Sequence, residues 1–313
     1  MERKILRRDE ARKIENNATI HGVFFLGVTL TPAFLTEEWH NFEFAEENVL
    51  IVTYPKSGEA GSGGHCGGID GRRTNWMIEI LSLIHCRGDP KWVQSEFIWN
   101  RSPWIELDGP YKTLKKNKCS PFISSHLPIQ FMPESFFRTK TKVIYVIRNP
   151  KDVIVSGYSF WKGVSFAQKA ESMDQYFDWF MKGNVPYGSW FDHVHGWLSM
   201  REHSNFLLLS YEELRRDLRN TVKKISQFLG VELDQEAIES VLKNCSFQVM
   251  KNNNMSNYSS IDDSLINIKQ FPMMRKGVTG DWKNHLTVAQ AETFDKLYQE
   301  KMKDLPSELF PWD

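Results

Sequence analysis

Four short apolar runs punctuate the chain: Val49–Val52, a run within Pro121–Pro128, Lys142–Ile147 and Asn205–Ser210. Each is bounded by polar or charged residues, which is the pattern of strands buried on both faces. Helical spacing follows them. After the first run, Trp76, Met77, Ile80, Leu81, Leu83 and Ile84 recur at the period of a packed helix. After the third, Asp152 opens a helix over Val153–Trp161, with Ser156 one turn in; after the fourth, a helix runs over Glu212–Gln227. Strand, polar end and helix in repetition predict an α/β fold with a central parallel sheet flanked by helices, in a single domain spanning 1–313. Ligands of such sheets sit at the carboxyl ends of the strands, the edge that would carry Lys56, His126, Arg148 and Tyr211.

The rest of the pattern is less regular. Residues 1–18 mix Arg, Lys, Glu and Asn with little periodicity and read as a flexible, solvated extension. Residues 59–73 hold six glycines in fifteen positions and read as a flexible loop. Beyond Asn252 the periodicity is low until Met274, where Arg275, Lys276 and Gly277 begin a basic, glycine-containing segment able to close over a phosphate.

Composition narrows the function classes. With 313 residues, 39 basic and 39 acidic, the chain has no net charge to coat a nucleic acid, so anion binding must be local. Eleven Trp and 21 Phe suit an apolar pocket as well as a core. The four cysteines include no C-x-x-C pair, which argues against disulfides and structural zinc. The apolar stretch Val23–Leu35 is interrupted by Thr29, Thr31 and Pro32 and is too short to span a bilayer, so no membrane association and a cytoplasmic location are expected.

The chemistry concentrates at Thr53-Tyr54-Pro55-Lys56-Ser57-Gly58. A buried strand ending in Lys-Ser-Gly and leading to a helix aims N–H groups, a lysine and a helix N-terminus at a phosphate or sulfate. It differs from the P-loop order because the lysine precedes the glycine. A surface turn would have the same residues. Arg148 and Ser156, eight positions apart, can face one phosphate or be solvated; His126 can be a general base or an ordinary loop histidine. His193-x-His195 hints at a metal pair, but with no third ligand at helical or strand spacing it reads as packing or surface.

Taken in order, P-K-S-G, T-N-W, S-S-H-L-P, I-R-N-P-K-D-V-x-V-S and R-K-G-V-T-G-D-W-K-N-H-L-T-V closely resemble the cytosolic sulfotransferase family, from about Phe24 to Asp313. Ile98–Glu106, Tyr187–His193 and Asp304–Asp313 resemble its hydroxysteroid and bile-salt branch. The resemblance implies a P-loop-kinase-like fold, no metal, and transfer of a sulfuryl group from 3′-phosphoadenosine 5′-phosphosulfate to a small apolar alcohol. Lys56, Ser57, Gly58, Thr74 and Asn75 would hold the phosphosulfate, and Trp76 would stack on the adenine. Arg148, Ser156, Arg275, Lys276 and Gly277 would bind the 3′-phosphate. Tyr211, Phe247 and Met250 would contact the base, and Cys245 stands where relatives often carry Ser or Thr. His126 would be the base and Lys56 would stabilise the leaving oxygen, while Ser124 and Ser125 stand where some members have a lysine. Tyr258, Trp99 and Phe160 would line the acceptor pocket. Lys283, Thr287, Val288 and Glu292 match the family's dimer pattern, although Thr287 would equally serve as a helix N-cap. Family members run from the cradle glycine straight into threonine. Residues 59–73 therefore raise an alternative, a sulfotransferase-fold variant whose split cradle binds nucleotide poorly or not at all. A P-loop nucleotide kinase is disfavoured by the motif order and by the lack of an adjacent Mg²⁺ carboxylate.

Overall fold

The computed structural model describes residues 12–14, 17–26, 30–57, 74–116, 120–165, 167–257, 259–260 and 278–312. The described residues begin with β1 (Arg12–Ile14), β2 (Asn17–Ile20) and β3 (Val23–Leu26), and their centre is a four-stranded sheet of β4 (Val49–Thr53), β5 (Phe122–Ser125), β6 (Lys142–Ile147) and β7 (Phe206–Ser210). The order is β5-β4-β6-β7 and every pair is parallel. All of β4 and β5, and β6 beyond Lys142, are buried, as expected of parallel strands covered by helices on both faces. The aliphatic side chains of the helix Thr74–His85, including Met77, Ile80, Leu81 and Ile84, are fully buried, Trp76 is partly buried, and this helix packs on β4.

Strand order fixes where a ligand can enter. From β4 the chain moves to one edge at β5, then returns across β4 to β6 and on to β7. The carboxyl ends of β4 and β6 therefore flank the point where the order reverses, the crevice that open α/β sheets use for binding.

A smaller antiparallel sheet joins β1, β2 and β3. Within the stretch read as an extension, residues 12–14 and 17–18 are paired strands of this sheet. The deciding feature is the two-residue turn His21-Gly22, at φ 48 and 79. Such a turn matches the twist of a hairpin, and a search for apolar periodicity does not register it.

Two helix boundaries also differ from expectation. The helix after β6 runs Pro150–Trp161 and is capped by Asn149, whose side chain accepts from the Lys151 amide; Asp152 lies inside it. Proline at the first helical position costs no hydrogen bond. After β7 the expected single helix is two, Tyr211–Arg216 and Leu218–Leu229, broken at Asp217, whose carboxylate caps the second by accepting from the Asn220 amide. No helix among the described residues is long and apolar enough to cross a membrane.

Candidate active site

The chain leaves β4 through a tight turn in which the Ser57 amide donates to the Tyr54 carbonyl at 2.8 Å. Pro55 and Lys56 are its central residues, and Lys56 lies at φ 70. Glycine normally takes that position, and a lysine there is held at a backbone cost of about 1 kcal/mol or more, the kind of strain that concentrates at functional sites. Lys56 is buried, with Nζ 3.8 Å from the centroid of the Phe160 ring. Arg148, just past β6, donates from Nη1 to the Lys56 carbonyl at 3.4 Å. The two strand ends at the order reversal are thus joined through these two cationic residues. Ser57 Oγ and Arg148 Nε are buried without a hydrogen-bond partner among the described residues. A hydroxyl and a guanidinium donor left so beside a buried lysine fit an anion. Gly58 lies outside the described residues.

Thr53, the last residue of β4, joins the cradle to its second half. Its Oγ1 lies 2.9 Å from Thr74 Oγ1, and Thr74 is the first, fully buried residue of the helix Thr74–His85. Asn75 is buried beside it. Although 58–73 lie outside the described residues, the strand end and the helix N-terminus meet. The alternative in which the insert holds them apart is not supported.

Thr53 also orients His126, the residue after β5. Nδ1 of His126 lies 2.6 Å from the Thr53 carbonyl and 3.0 Å from Thr53 Oγ1. A carbonyl can only accept, so Nδ1 carries the proton and the lone pair of the neutral ring is on Nε2. Trp104 packs against the imidazole, centroids 4.4 Å apart, and Tyr187 meets it edge-on at 5.4 Å. The His126 amide donates to Glu106 Oε1 at 2.8 Å. Burial pushes the Glu106 carboxyl up to about 7, partly opposed by that amide and by the Ser125 and Tyr187 hydroxyls.

His193 is placed differently from His195. Two positions apart on the helix Trp190–Leu198, they face different ways. His193 is fully buried, with Nε2 3.2 Å from the His126 carbonyl, whereas His195 Nε2 meets the Lys301 carbonyl at 2.6 Å. His193 is thus packed in the core, and His195 lies partly exposed on the other side of the helix. No cluster of three or more metal-ligating side chains occurs among the described residues.

On the other flank, Arg148 lies 5.3 Å over the Tyr211 ring and 3.7 Å from Asp152. Trp76 donates from Nε1 to the Cys245 carbonyl at 2.8 Å and meets Tyr211 edge-on. Cys245 thus contributes its backbone; its thiol is buried, and burial pushes it up to about 12. Met250 is buried, while Phe247 and Ser156 are partly exposed. Arg275, Lys276, Gly277 and Tyr258 lie outside the described residues. The chain on either side of that undescribed stretch is anchored by buried carboxylates. Asp152 accepts from the amides of Gly280 and Trp282 at 2.8 and 3.0 Å. Ser256 donates to Glu79 at 2.9 Å, and Arg101 pairs with the same carboxylate at 2.7 Å. Trp99 stacks on Phe97 at 4.4 Å, and Phe160 lies under Lys56.

Thr53 entered the sequence reading only as the start of the cradle stretch and His193 only as half of a metal hint, while Glu106 and the Glu79–Arg101 pair were not singled out as site residues. Only Thr53 carried a signal, as the polar residue closing an apolar run; the others act through partners many positions away.

The comparisons with known proteins agree with this geometry. The family model described as Sulfotransferase domain matches residues 46–306. Sulfotransferase 2A1 of Macaca fascicularis is 55% identical over 93% of this chain and 97% of its own. The 3-beta-hydroxysteroid sulfotransferase of Cavia porcellus is 51% identical over 96% and 99%. Among solved structures, mouse sulfotransferase SULT7A1 complexed with PAP superposes with a TM-score of 0.74 at 28% identity, covering 93% of this chain and 96% of that one. On the match over residues 46–306 and on identity above half to a relative aligned along nearly its whole length, the chain belongs to the sulfotransferase family.

Proposed function

We propose that this sulfotransferase moves the sulfuryl group of 3′-phosphoadenosine 5′-phosphosulfate to a hydroxyl of a steroid, bile acid or similar apolar alcohol. The juncture at Thr53 carries the reading: one residue orients His126 and meets the helix N-terminus of the anion cradle. The steroid class is supported by the name of the Cavia porcellus relative, and the nucleotide by the PAP in the mouse structure.

Lys56, Ser57, Gly58, Thr74 and Asn75 bind the phosphosulfate; Arg148, Ser156, Arg275, Lys276 and Gly277 bind the 3′-phosphate. Trp76, Tyr211, Cys245, Phe247 and Met250 surround the adenine. His126 Nε2 takes the proton of the acceptor hydroxyl as its oxygen bonds to sulfur and the sulfur–oxygen bond to the 5′-phosphate breaks. Lys56 and the N-terminus of Thr74–His85 stabilise charge on the departing phosphate oxygen. The chain acts as a single domain in the cytoplasm and pairs as a homodimer through Lys283, Thr287, Val288 and Glu292. These four are exposed, with Thr287 also capping its helix.

Titration with 3′-phosphoadenosine 5′-phosphate, with turnover measured on a hydroxysteroid, tests the reading. The wild type binds and turns over, and His126→Ala keeps nucleotide affinity while losing roughly 10²- to 10⁴-fold in kcat. Absence of nucleotide binding, or full turnover by His126→Ala, overturns it.

A further inference from the structure

We propose that Glu106 and His193 are positioning residues that clamp the backbone of His126 from opposite sides and so set the aim of its ring; the proposal rests on the reading of His126 as the base. His126 is held at three points. Its amide donates to Glu106 Oε1 at 2.8 Å, its carbonyl accepts from His193 Nε2 at 3.2 Å, and its ring Nδ1 donates to the Thr53 carbonyl. The three partners come from different parts of the fold, so the ring is triangulated and not merely tethered to β5.

Each arm of the clamp is itself fixed. Glu106 closes a segment that runs alongside β5, with the Ile105 amide donating to the Ser124 carbonyl at 3.0 Å and the Ser124 amide to the Pro103 carbonyl at 2.9 Å. The Glu106 carbonyl accepts from the Thr31 amide at 2.7 Å. On the other side, His193 must carry its proton on Nε2 to bond a carbonyl, so Nδ1 accepts from the Tyr145 hydroxyl at 2.9 Å. Trp197, one turn further along the same helix face, donates from Nε1 to the Leu127 carbonyl at 3.0 Å. Two consecutive carbonyls of the His126 loop are thus held by one helix.

Stability alone does not account for this arrangement. Glu106, His193 and Tyr145 are fully buried polar groups, a costly way to satisfy one amide and one carbonyl, and removing any of them leaves a buried polar group unpaired. What they supply is direction, and a displacement of about 1 Å at a reacting group can cost on the order of a hundredfold in rate.

The test compares steady-state kinetics, nucleotide affinity and folding for paired variants of the full chain. Glu106→Leu and the double variant His193→Leu with Tyr145→Phe remove the clamp. Glu106→Gln and His193→Gln keep an acceptor or donor at the same reach. The clamp predicts that the leucine variants lose roughly 10- to 100-fold in kcat with the affinity for 3′-phosphoadenosine 5′-phosphate unchanged, and that the glutamine variants recover most of it. Unchanged kcat in a folded leucine variant, or a loss that glutamine does not recover, overturns the proposal. Should the leucine variants not fold, hydrogen exchange of the His126 amide decides: slow exchange in both the wild type and Glu106→Gln supports the clamp, and fast exchange in the wild type refutes it. His126→Ala separates the two readings. If it keeps turnover, the base assignment fails whatever the clamp variants do; if it loses turnover while they do not, the clamp alone fails.

Discussion

Glu106 and His193 flank one histidine, and burial drives both toward neutrality, with opposite consequences for pH. The Glu106 carboxyl rises from 4.5 to about 7, so between those values the folded chain holds a proton that the unfolded chain has released. Stability therefore falls as pH rises through that window, by about 3 kcal/mol in all, at 1.36 kcal/mol per unit. For His193, burial, with a smaller contribution from His126, lowers the imidazole from 6.5 to about 3. There the unfolded chain takes up the proton first, and stability falls as pH drops from 6.5 toward 3. Glu106→Gln removes the first dependence only. Urea unfolding of that variant and the wild type should show the difference shifting in favour of the variant from pH 5 to pH 8; a difference that stays flat would mean that the carboxyl does not gain charge on unfolding.

At the scale of elements, the helix Thr74–His85 takes its position from the core and not from the loop before it. Its aliphatic side chains are buried, it packs on β4, and its first hydroxyl touches Thr53. Deleting residues 59–73 should therefore leave nucleotide affinity within about threefold, well short of the hundredfold that a displacement of about 1 Å can cost. Because closing a loop of this length costs about 2.4 kcal/mol plus a constant, the deletion should also raise the thermal midpoint by a few degrees. Calorimetry and nucleotide titration check both; a large loss of affinity on deletion would show that the insert helps to build the cradle. The same scale explains which elements were legible. The four parallel strands are built on short apolar runs bounded by polar residues and stood out. The break at Asp217 did not, because the residues on both sides keep a helical pattern and only the capping of Asn220 separates them.

For the whole molecule, Val288 is 76% exposed at the start of the helix Val288–Met302, with Lys283 and Glu292 exposed on either side of it in sequence. An exposed apolar residue between opposite charges suits the two-fold contact proposed above. Val288→Glu should convert a sedimenting dimer into a monomer while kcat stays within about twofold, since Val288 is not among the residues of the proposed site. A wild type that sediments as a monomer would remove the dimer from the proposal.

By itself the sequence determined the parallel sheet, the edge on which Lys56, His126, Arg148 and Tyr211 stand, and the family, because these follow from local apolar runs and from residue order along the chain. Only the tertiary structure decided that Thr74 meets Thr53 across sixteen undescribed residues, that His193 bonds the carbonyl of His126, and that Glu106 accepts from the amide of that same histidine. Each of these contacts joins residues 20 or more positions apart, and such contacts leave no period in the sequence. They depend on how the strands are ordered, and that order is set by packing the whole chain at once.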